Sequence, residues 1–238
     1  TEIKRLQASL QKQEKLAAIG NLAAGVAHEV RNPLSSIKGY ATYFASLFEE
    51  GSERKKAAEV MTAEVERLNR VISELLEIAR PSDIKPRATD IPFLLSSSLR
   101  LVQQEAEAAG VRIMTEIAEG IAPFALDPDR ITQALLNLYI NAIQAMPAGG
   151  QLTISARETV AGLELAVSDR GRGIPGDEAG KIFDPYFTTK NTGTGLGLAV
   201  VQKVVEAHGG TILVTSKPDR GTCFTITLPR TMPEEGRP

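Results

Sequence analysis

The sequence has little cysteine and histidine and no long hydrophobic run. Its 238 residues include one cysteine, Cys223, and two histidines. A single cysteine excludes an internal disulfide and the usual zinc cage, and it fits a reducing compartment. No segment reaches the roughly 20 apolar residues that a membrane-spanning helix needs, and no signal peptide is visible. The chain begins at Thr1 rather than at a methionine, so we interpret it as part of a longer protein.

A strong net charge of either sign is also lacking. The chain has 27 basic and 29 acidic side chains, which gives a formal net charge of -2 at pH 7. A protein this close to neutrality has no broad attraction to nucleic acid or to anionic lipid. We therefore predict no nucleic-acid partner, although local clusters remain able to bind phosphates.

Two segments near the N-terminus have apolar side chains spaced three and four residues apart, which is typical of packed helices. The first consists of Ala23, Val26, Val30, Pro33, Ile37, Tyr40, Phe44 and Leu47, and the second of Met61, Val65, Leu68, Ile72, Leu75 and Ala79. Gly51 and Ser52 separate them as turn residues. Because two helices cannot enclose a core of their own, we predict that this hairpin pairs with a second copy into a four-helix bundle, as a homodimer.

A stretch rich in proline divides the chain. Three prolines lie among polar side chains between residues 81 and 92, and we predict a linker over residues 81–92. The helical hairpin then occupies residues 1–80, a second domain residues 93–230 and a tail residues 231–238. Within the hairpin, residues 1–20 are either a signalling coiled-coil helix or a frayed helix end.

Beyond the linker, the hydrophobic pattern changes between strand spacing and helix spacing. The strand-like segments are Val111 to Ile117, Leu152 to Ala156, Leu163 to Val167, Ile212 to Val214 and Phe224 to Leu228. The helix-like segments are Phe93 to Ala109, Arg130 to Met146 and Leu196 to His208. This pattern predicts an α/β two-layer sandwich, with a helix layer on a mostly antiparallel sheet. Residues 171–195 show neither spacing, and loops of that length are usually functional.

The first candidate site is the segment from His28 to Leu34. At 3.6 residues per turn, His28 lies about 200° around the helix from Val26 and Val30, so its side chain is predicted to face solvent. An exposed histidine is usually ordinary surface. A neighbouring carboxylate such as Glu29 favours a functional interpretation, because it can hold one ring N–H and leave the other nitrogen as a neutral nucleophile.

Two asparagines form the second candidate site. Asn137 and Asn141 are one turn apart in a predicted helix, so both side chains lie on one face. Asparagine is unfavourable inside helices, which leaves two interpretations, a solvated polar face or a functional pair. In a functional pair, a side-chain carbonyl oxygen would be a suitable ligand for Mg²⁺.

Glycine-rich segments form the third candidate site. Asp169 ends an apolar strand and precedes Gly171 and Gly173, and a second run, Gly193 to Gly197, precedes a helix. Glycines that enter a helix expose backbone N–H groups that suit a polyphosphate, although any tight strand-to-helix connection also favours glycine. The Asp169 carboxylate can accept a hydrogen bond from the exocyclic amine of adenine, or it can cap a turn.

Taken together, these segments resemble a known family. The His-Glu-x-x-Asn-Pro-Leu pattern at His28 is similar to the H-box of bacterial sensor histidine kinases, which act in two-component systems. The asparagine pair resembles their N-box, and the glycine segments resemble the G1 and G2 boxes of the GHKL (Bergerat) ATP-binding fold. Residues 183–190 resemble the F-box and the lid over ATP. The short lid and the stretch from Ala23 to Leu34 are similar to the NtrB/ZraS-type branch.

The resemblance implies a role for each segment. His28 would accept a phosphoryl group, Glu29 would act as its polarising base, and Asn32 would position water when the enzyme acts as a phosphatase. Asn141 would bind Mg²⁺, Lys190 would meet the terminal phosphate, and Thr222 would lie near adenine. The residues that the resemblance places around ATP are Asn137, Asn141, Asp169, Gly171, Gly173, Lys190, Gly193, Thr194, Gly195, Leu196, Gly197 and Thr222.

The resemblance also implies an activity, partners and a location. The activity is ATP-dependent autophosphorylation of His28, followed by transfer to an aspartate of a response-regulator receiver domain, which in this branch is of the sigma-54 activator type. The cofactors are ATP and Mg²⁺. The chain would be the cytoplasmic portion of a bacterial protein that is anchored in the inner membrane through a sensor region absent from this sequence.

Two other functions stay open. A GHKL ATPase that drives a conformational cycle generally carries a glutamate base where this chain has Asn137. A non-catalytic dimeric scaffold would have no need of the complete set of family residues. The chain departs from many family members at Gln144, where they have a basic residue for the phosphates, and at Ala145, where they have an aromatic side chain.

Overall fold

The computed structural model divides the chain into two units, Thr1–Pro81 and Ser82–Pro238. The residues that it describes are 29–79, 83–190 and 193–230. Three predicted features lie outside the described residues: the helix over residues 1–20, His28 and the tail over residues 231–238.

The first unit contains a helical hairpin. Helix α1 covers residues 29–47, and helix α2 covers Glu53–Ala79. Gly51 between them has φ = 75°, a left-handed conformation that glycine adopts at little cost. The Ser52 hydroxyl caps α2 by accepting a hydrogen bond from the Lys55 N–H at 3.2 Å. The hairpin predicted from the apolar spacing is therefore confirmed.

Small and branched side chains pack between the two helices. The buried apolar residues of the hairpin are Leu34, Ala41, Ala58, Val65 and Leu76. Polar contacts flank them, since Arg31 Nη2 donates to Ser73 Oγ at 3.0 Å and Lys38 Nζ lies 2.8 Å from a carboxylate oxygen of Glu66. Because both partners of the ion pair are exposed, it contributes little to stability, and the apolar seam holds the helices together.

Most of the apolar stripe predicted on α1 does not pack against α2. Five of its six described members, Val30, Ile37, Tyr40, Phe44 and Leu47, are between 36% and 67% exposed, and the sixth, Pro33, is exposed as well. The difference arises because α1 has two apolar stripes, and one partner helix covers only one of them. A row of exposed apolar side chains on one helix face marks a surface for association with another molecule.

Strands of the second unit form two sheets. They are β1 Arg87–Thr89, β2 Val111–Ile117, β3 Phe124–Leu126, β4 Gly150–Thr159, β5 Gly162–Asp169, β6 Thr211–Lys217 and β7 Gly221–Leu228. The larger sheet has the order β2-β4-β5-β7-β6, and β1 pairs with β3 in a separate antiparallel ribbon. β2 runs parallel to β4, whereas β4, β5, β7 and β6 pair antiparallel. The mostly antiparallel sheet is therefore confirmed.

Helices cover the apolar face of the larger sheet. They are α4 Gln103–Ala108, α5 Pro128–Gln144 and α6 Gly197–Ala207, and α3 Ile91–Arg100 packs on α5. The strand register places buried Ile154 opposite Val167, and Val167 opposite Phe224, so the apolar side chains of three strands form one continuous row. Full burial of each such side chain contributes about 1.5–3 kcal/mol. This packing fixes the strand ends that carry the candidate site.

The structure differs from the predicted linker and from one predicted helix. Part of the linker over residues 81–92 is strand β1, and α3 already begins at Ile91. Asp90 caps α3 by accepting from the Phe93 N–H at 2.8 Å, and Pro92 lies in the first turn, where its missing N–H costs nothing. The single helix predicted over Phe93 to Ala109 is divided into α3 and α4.

Among the described helices, none combines the length and hydrophobicity that a membrane span requires.

Candidate active site

The Asp169 carboxylate lies at the end of β5 and is 5% exposed. Its Oδ1 atom accepts hydrogen bonds from the Gly171 N–H at 2.8 Å and the Thr222 N–H at 3.3 Å. Its Oδ2 atom accepts none from the residues that the structure describes. Burial raises the pKa of this carboxyl, and the two hydrogen bonds and the charge of Lys190 oppose that rise. Asp169 is therefore a desolvated acceptor with one oxygen free.

The loop after Asp169 contacts other backbone segments so closely that only glycine fits. A Cβ atom on Gly171 would lie 2.5 Å from the carbonyl oxygen of Ala145, the C-terminal cap of α5. A Cβ atom on Gly173 would lie 2.1 Å from the Lys217 carbonyl oxygen, and Gly173 has φ = 67°. Arg172 between them donates its N–H to the Ala145 oxygen at 3.1 Å. These contacts fix the loop against the end of α5 and the end of β6.

The two asparagines of α5 bond to two different segments, Asn137 to the start of α6 and Asn141 to Lys190 at the end of the lid. Asn137 Nδ2 donates to the carbonyl oxygen of Gly197 at 3.3 Å, which joins α5 to the start of α6. Asn141 Oδ1 accepts from the Lys190 ammonium at 3.0 Å, and Gln144 Oε1 accepts from the same ammonium at 2.8 Å. Both asparagines are therefore bonded within the fold, so they do not form a freely solvated face.

Lys190 is a half-buried cation bound by amide oxygens. Burial and the charge of Arg172 lower its pKa to about 8, against an opposing effect of Asp169. Within the described part of the chain, no carboxylate lies within ion-pair distance of this ammonium. A desolvated cation held only by neutral oxygens is suited to binding an anionic ligand.

The glycine run leads into α6 through a tight turn. Gly195 has φ = 68°, and its carbonyl oxygen accepts from the N–H of Tyr186 at 2.9 Å. Thr194 Oγ1 accepts from the N–H of Leu196 at 3.2 Å. The Leu196 side chain is only 1% exposed, so it packs in the core. Gly193 and Gly197 lie at the two ends of this turn.

Glu29 and Asn32, the two candidate catalytic residues of the His28 segment that the structure describes, lie on α1. Glu29 and Asn32 are exposed, as is Pro33. The exposure of Asn32, four positions after His28, agrees with a solvent-facing side there, whereas Pro33 belongs to the stripe that was predicted to pack. His28 itself lies outside the described residues.

Two contributors to the candidate site were not predicted as such. Gln144 stands where many family members have a basic residue, and its Oε1 atom accepts a hydrogen bond from the Lys190 ammonium. Ser216 of β6 accepts a hydrogen bond from the Ile174 N–H at 2.8 Å, in the loop that follows Asp169. A signal for Ser216 exists in the sequence, because it shares a strand face with Ile212 and Val214 and is the polar member of that row.

His208 has a structural environment away from this site. It is the C-terminal cap of α6 and is 2% exposed. Its Nε2 atom accepts from the Asp127 N–H at 3.0 Å, so the proton lies on Nδ1, which donates to the Val204 oxygen at 2.7 Å. His208 thus caps α6, and its ring also joins that helix to the start of α5.

Replacing His208 with alanine is expected to destabilise the chain by about 2–3 kcal/mol, because the buried Asp127 N–H loses its acceptor and a cavity forms. A shift of the urea midpoint would report this loss. Glu206→Ala on the exposed side of the same helix is the matched control, and we expect a change below about 0.5 kcal/mol. An unchanged midpoint for His208→Ala would contradict the prediction.

Comparison with known proteins agrees with this geometry. Residues 18–83 match the model of the His Kinase A (phospho-acceptor) domain, and residues 126–232 match the model of the histidine kinase-, DNA gyrase B- and HSP90-like ATPase. Sensor histidine kinase ZraS of Escherichia coli (strain K12) is 50% identical over 224 residues, which cover 94% of this chain and 48% of the relative. The chain thus spans about half the length of the curated relatives that it matches first.

Solved histidine kinases have the same fold. Full-length ShkA in complex with AMPPNP matches with a TM-score of 0.76 and 25% identity, over 90% of this chain and 46% of that chain. Histidine kinase ThkA in complex with response regulator protein TrrA matches with a TM-score of 0.68 and 27% identity, over 97% of this chain and 67% of that chain. With its phospho-acceptor domain followed by an ATPase domain, the chain belongs to the sensor histidine kinases of the ZraS/NtrB type.

Proposed function

We propose that this chain transfers the terminal phosphoryl group of ATP to His28 and then to an aspartate of a response-regulator receiver domain. The observation that supports this most is the pair of charged groups in the second unit. Asp169 keeps one carboxylate oxygen free, and the Lys190 ammonium is bound by the oxygens of Asn141 and Gln144. One group suits the amine of a nucleobase and the other suits a phosphate.

ATP would bind with its adenine at Asp169 and Thr222 and its phosphates toward the helix start at Gly193 to Gly197. The N-terminus of α6 carries the positive end of the helix dipole, which favours a polyphosphate. Lys190 would leave its amide partners for a phosphate oxygen, since a charged acceptor binds an ammonium more strongly than a neutral one does.

A magnesium ion fits Asn141. Its Oδ1 atom already accepts from a cation, the Lys190 ammonium, at 3.0 Å, and Mg²⁺ prefers oxygen ligands. When bound, Mg²⁺ would neutralise charge on the phosphate oxygens. Asn141 would hold it, and Lys190 would be released toward the terminal phosphate.

In the transfer step, a ring nitrogen of His28 forms a bond to the terminal phosphorus as the bond from phosphorus to the bridging oxygen of ADP breaks. Glu29 would hold the proton on the other ring nitrogen. Catalysis of this kind is mainly positioning and charge neutralisation. Asn32, one helical turn from His28, would position water when the phosphoryl group of the receiver domain is hydrolysed.

The partners in this proposal are a second copy of the chain and a receiver domain of the sigma-54 activator type. The second copy would cover the exposed stripe of α1 and complete a four-helix bundle. The sensor region and its membrane anchor would lie in the part of the protein outside this sequence.

Replacing Phe44 with glutamate is expected to weaken the dimer at least about a hundredfold, because a twofold interface loses two buried phenyl groups of about 1.5–3 kcal/mol each. Sedimentation equilibrium measures the dissociation constant. Ser46→Glu is the matched control, since Ser46 is exposed and lies about 200° from Phe44 around α1. Equal dissociation constants for the two variants would contradict this interface.

An ATPase that hydrolyses its nucleotide without phosphorylating the chain is disfavoured by Asn137. An amide is not a base, and Asn137 Nδ2 is already bonded to the Gly197 oxygen.

The proposed function is tested by incubation with Mg²⁺ and ATP labelled in its terminal phosphate. We expect a label on the protein that is labile to acid and stable to base, as for a phosphohistidine. Phosphate release without labelling would favour the ATPase instead.

A further inference from the structure

The Ser216 hydroxyl joins three backbone segments around the proposed base site. It lies on β6 and accepts from the Ile174 N–H at 2.8 Å. It also lies 2.9 Å from the Gly221 carbonyl oxygen and 2.9 Å from Thr222 Oγ1. Ser216 therefore bonds the loop after Asp169 to the start of β7.

Counting protons fixes the direction of each of these bonds. A serine hydroxyl has one proton and two lone pairs. The Gly221 carbonyl only accepts, so it takes the Ser216 proton, and the Ile174 N–H occupies one lone pair. The remaining contact is with Thr222, whose hydroxyl must donate to the second lone pair. Thr222 has then used its only proton, and its hydroxyl oxygen offers only lone pairs to a ligand.

The carboxylate beside Thr222 offers lone pairs as well. The Thr222 N–H donates to Asp169 Oδ1 at 3.3 Å, so the two residues are direct neighbours. Asp169 Oδ2 accepts no hydrogen bond from the described residues. A ligand edge that brings N–H donors is complementary to two acceptors, whereas an edge that brings a carbonyl oxygen is repelled.

We propose that Ser216 is a positioning residue for base specificity. By holding the Thr222 hydroxyl as an acceptor, it makes the site select a purine with a 6-amino group over its 6-oxo counterpart. This inference rests on the proposed nucleotide binding and adds the residue that sets the hydroxyl direction. Without Ser216, the Thr222 hydroxyl would be free to turn its proton toward a 6-oxo group.

The test compares the dissociation constants of ATP and of inosine triphosphate (ITP), its 6-oxo counterpart, in the full chain with Mg²⁺. For Ser216→Ala we expect the preference for ATP over ITP to fall about fivefold, as loss of one directed hydrogen bond implies. Ser216→Thr keeps a hydroxyl and should restore the preference. Ser155→Ala is the matched control on β4, where Ser155 is also half-buried, and should leave the preference unchanged. An unchanged ratio in Ser216→Ala would overturn the inference.

Thr222→Val supplies a second measurement that does not depend on the folding of Ser216→Ala. If the Thr222 hydroxyl is an acceptor, its removal weakens the binding of ATP more than the binding of ITP, and the preference for ATP over ITP falls. A rise of the ratio would mean that Thr222 donates in the native site, and it would overturn the inference. If the parent binds ATP, but the preference for ATP over ITP is unchanged in Ser216→Ala or rises in Thr222→Val, only the role of Ser216 fails. If the parent binds neither nucleotide, the proposed function fails together with it.

Discussion

Replacing His28 with glutamine is expected to reduce phosphorylation of the chain by labelled ATP at least about a hundredfold, because an amide nitrogen is not a nucleophile. Nucleotide affinity should stay unchanged, since the proposed ATP contacts lie in the second unit. The measurement is the amount of acid-labile, base-stable label per chain, with the dissociation constant of ATP determined in parallel.

Glu29→Gln is the matched control for this substitution. It keeps the imidazole but removes the neighbouring carboxylate, so we expect slower labelling, by a factor of about 10–100, that still reaches completion. This pattern separates the nucleophile from its base. Label on the His28→Gln variant at the level of the parent would show that another side chain accepts the phosphoryl group.

Strand alternation and local motifs predicted much of the second unit. The prediction for Val111 to Ile117 has the bounds of β2, because the alternation of apolar and polar residue types is contained in the strand's own sequence. Asp169 and Gly171 were predicted beside a nucleotide, and the structure brings them together with Thr222. Such features depend on short segments, and short segments are visible in a sequence.

Features that depend on distant partners were missed. Spacing alone does not tell which of the two stripes of α1 packs against α2, since both repeat with helical periodicity. The contact of Lys190 with Gln144 joins residues 46 positions apart, and local spacing contains no information about it. Likewise, Leu196 belongs to a glycine motif, but its apolar side chain packs into the core. Tertiary packing decided each of these cases.

Asp169→Asn is expected to weaken ATP binding about a hundredfold, because a hydrogen bond to a charged acceptor contributes roughly 1.5–3 kcal/mol. Asparagine keeps one oxygen for the Gly171 and Thr222 N–H groups, so the loop should retain its hydrogen bonds. The new amide group donates where the carboxylate accepted, and it therefore faces the amine of adenine unfavourably.

Stability of the nucleotide-free chain should change in the opposite direction. Burial raises the pKa of Asp169, so its charged form is the costly one in the folded state. The folded state therefore loses stability, relative to the unfolded chain, as the pH rises above the ordinary carboxyl pKa near 4. Asparagine does not ionise, so Asp169→Asn should be at least as stable as the parent at pH 7. Below about pH 4 the carboxyl is protonated in both states, and the difference between parent and variant should disappear.

Thermal unfolding at pH 7 and at about pH 3, combined with ATP titration at pH 7, tests both effects on one variant. Asp177→Asn is the matched control, because it removes the same charge from an exposed position of the following loop and should change neither property. If Asp169→Asn lowered stability and affinity together, Asp169 would be a structural residue of the G1 loop. If it raised or kept stability while ATP binding was lost, the buried carboxylate is retained for the ligand at a cost to the fold.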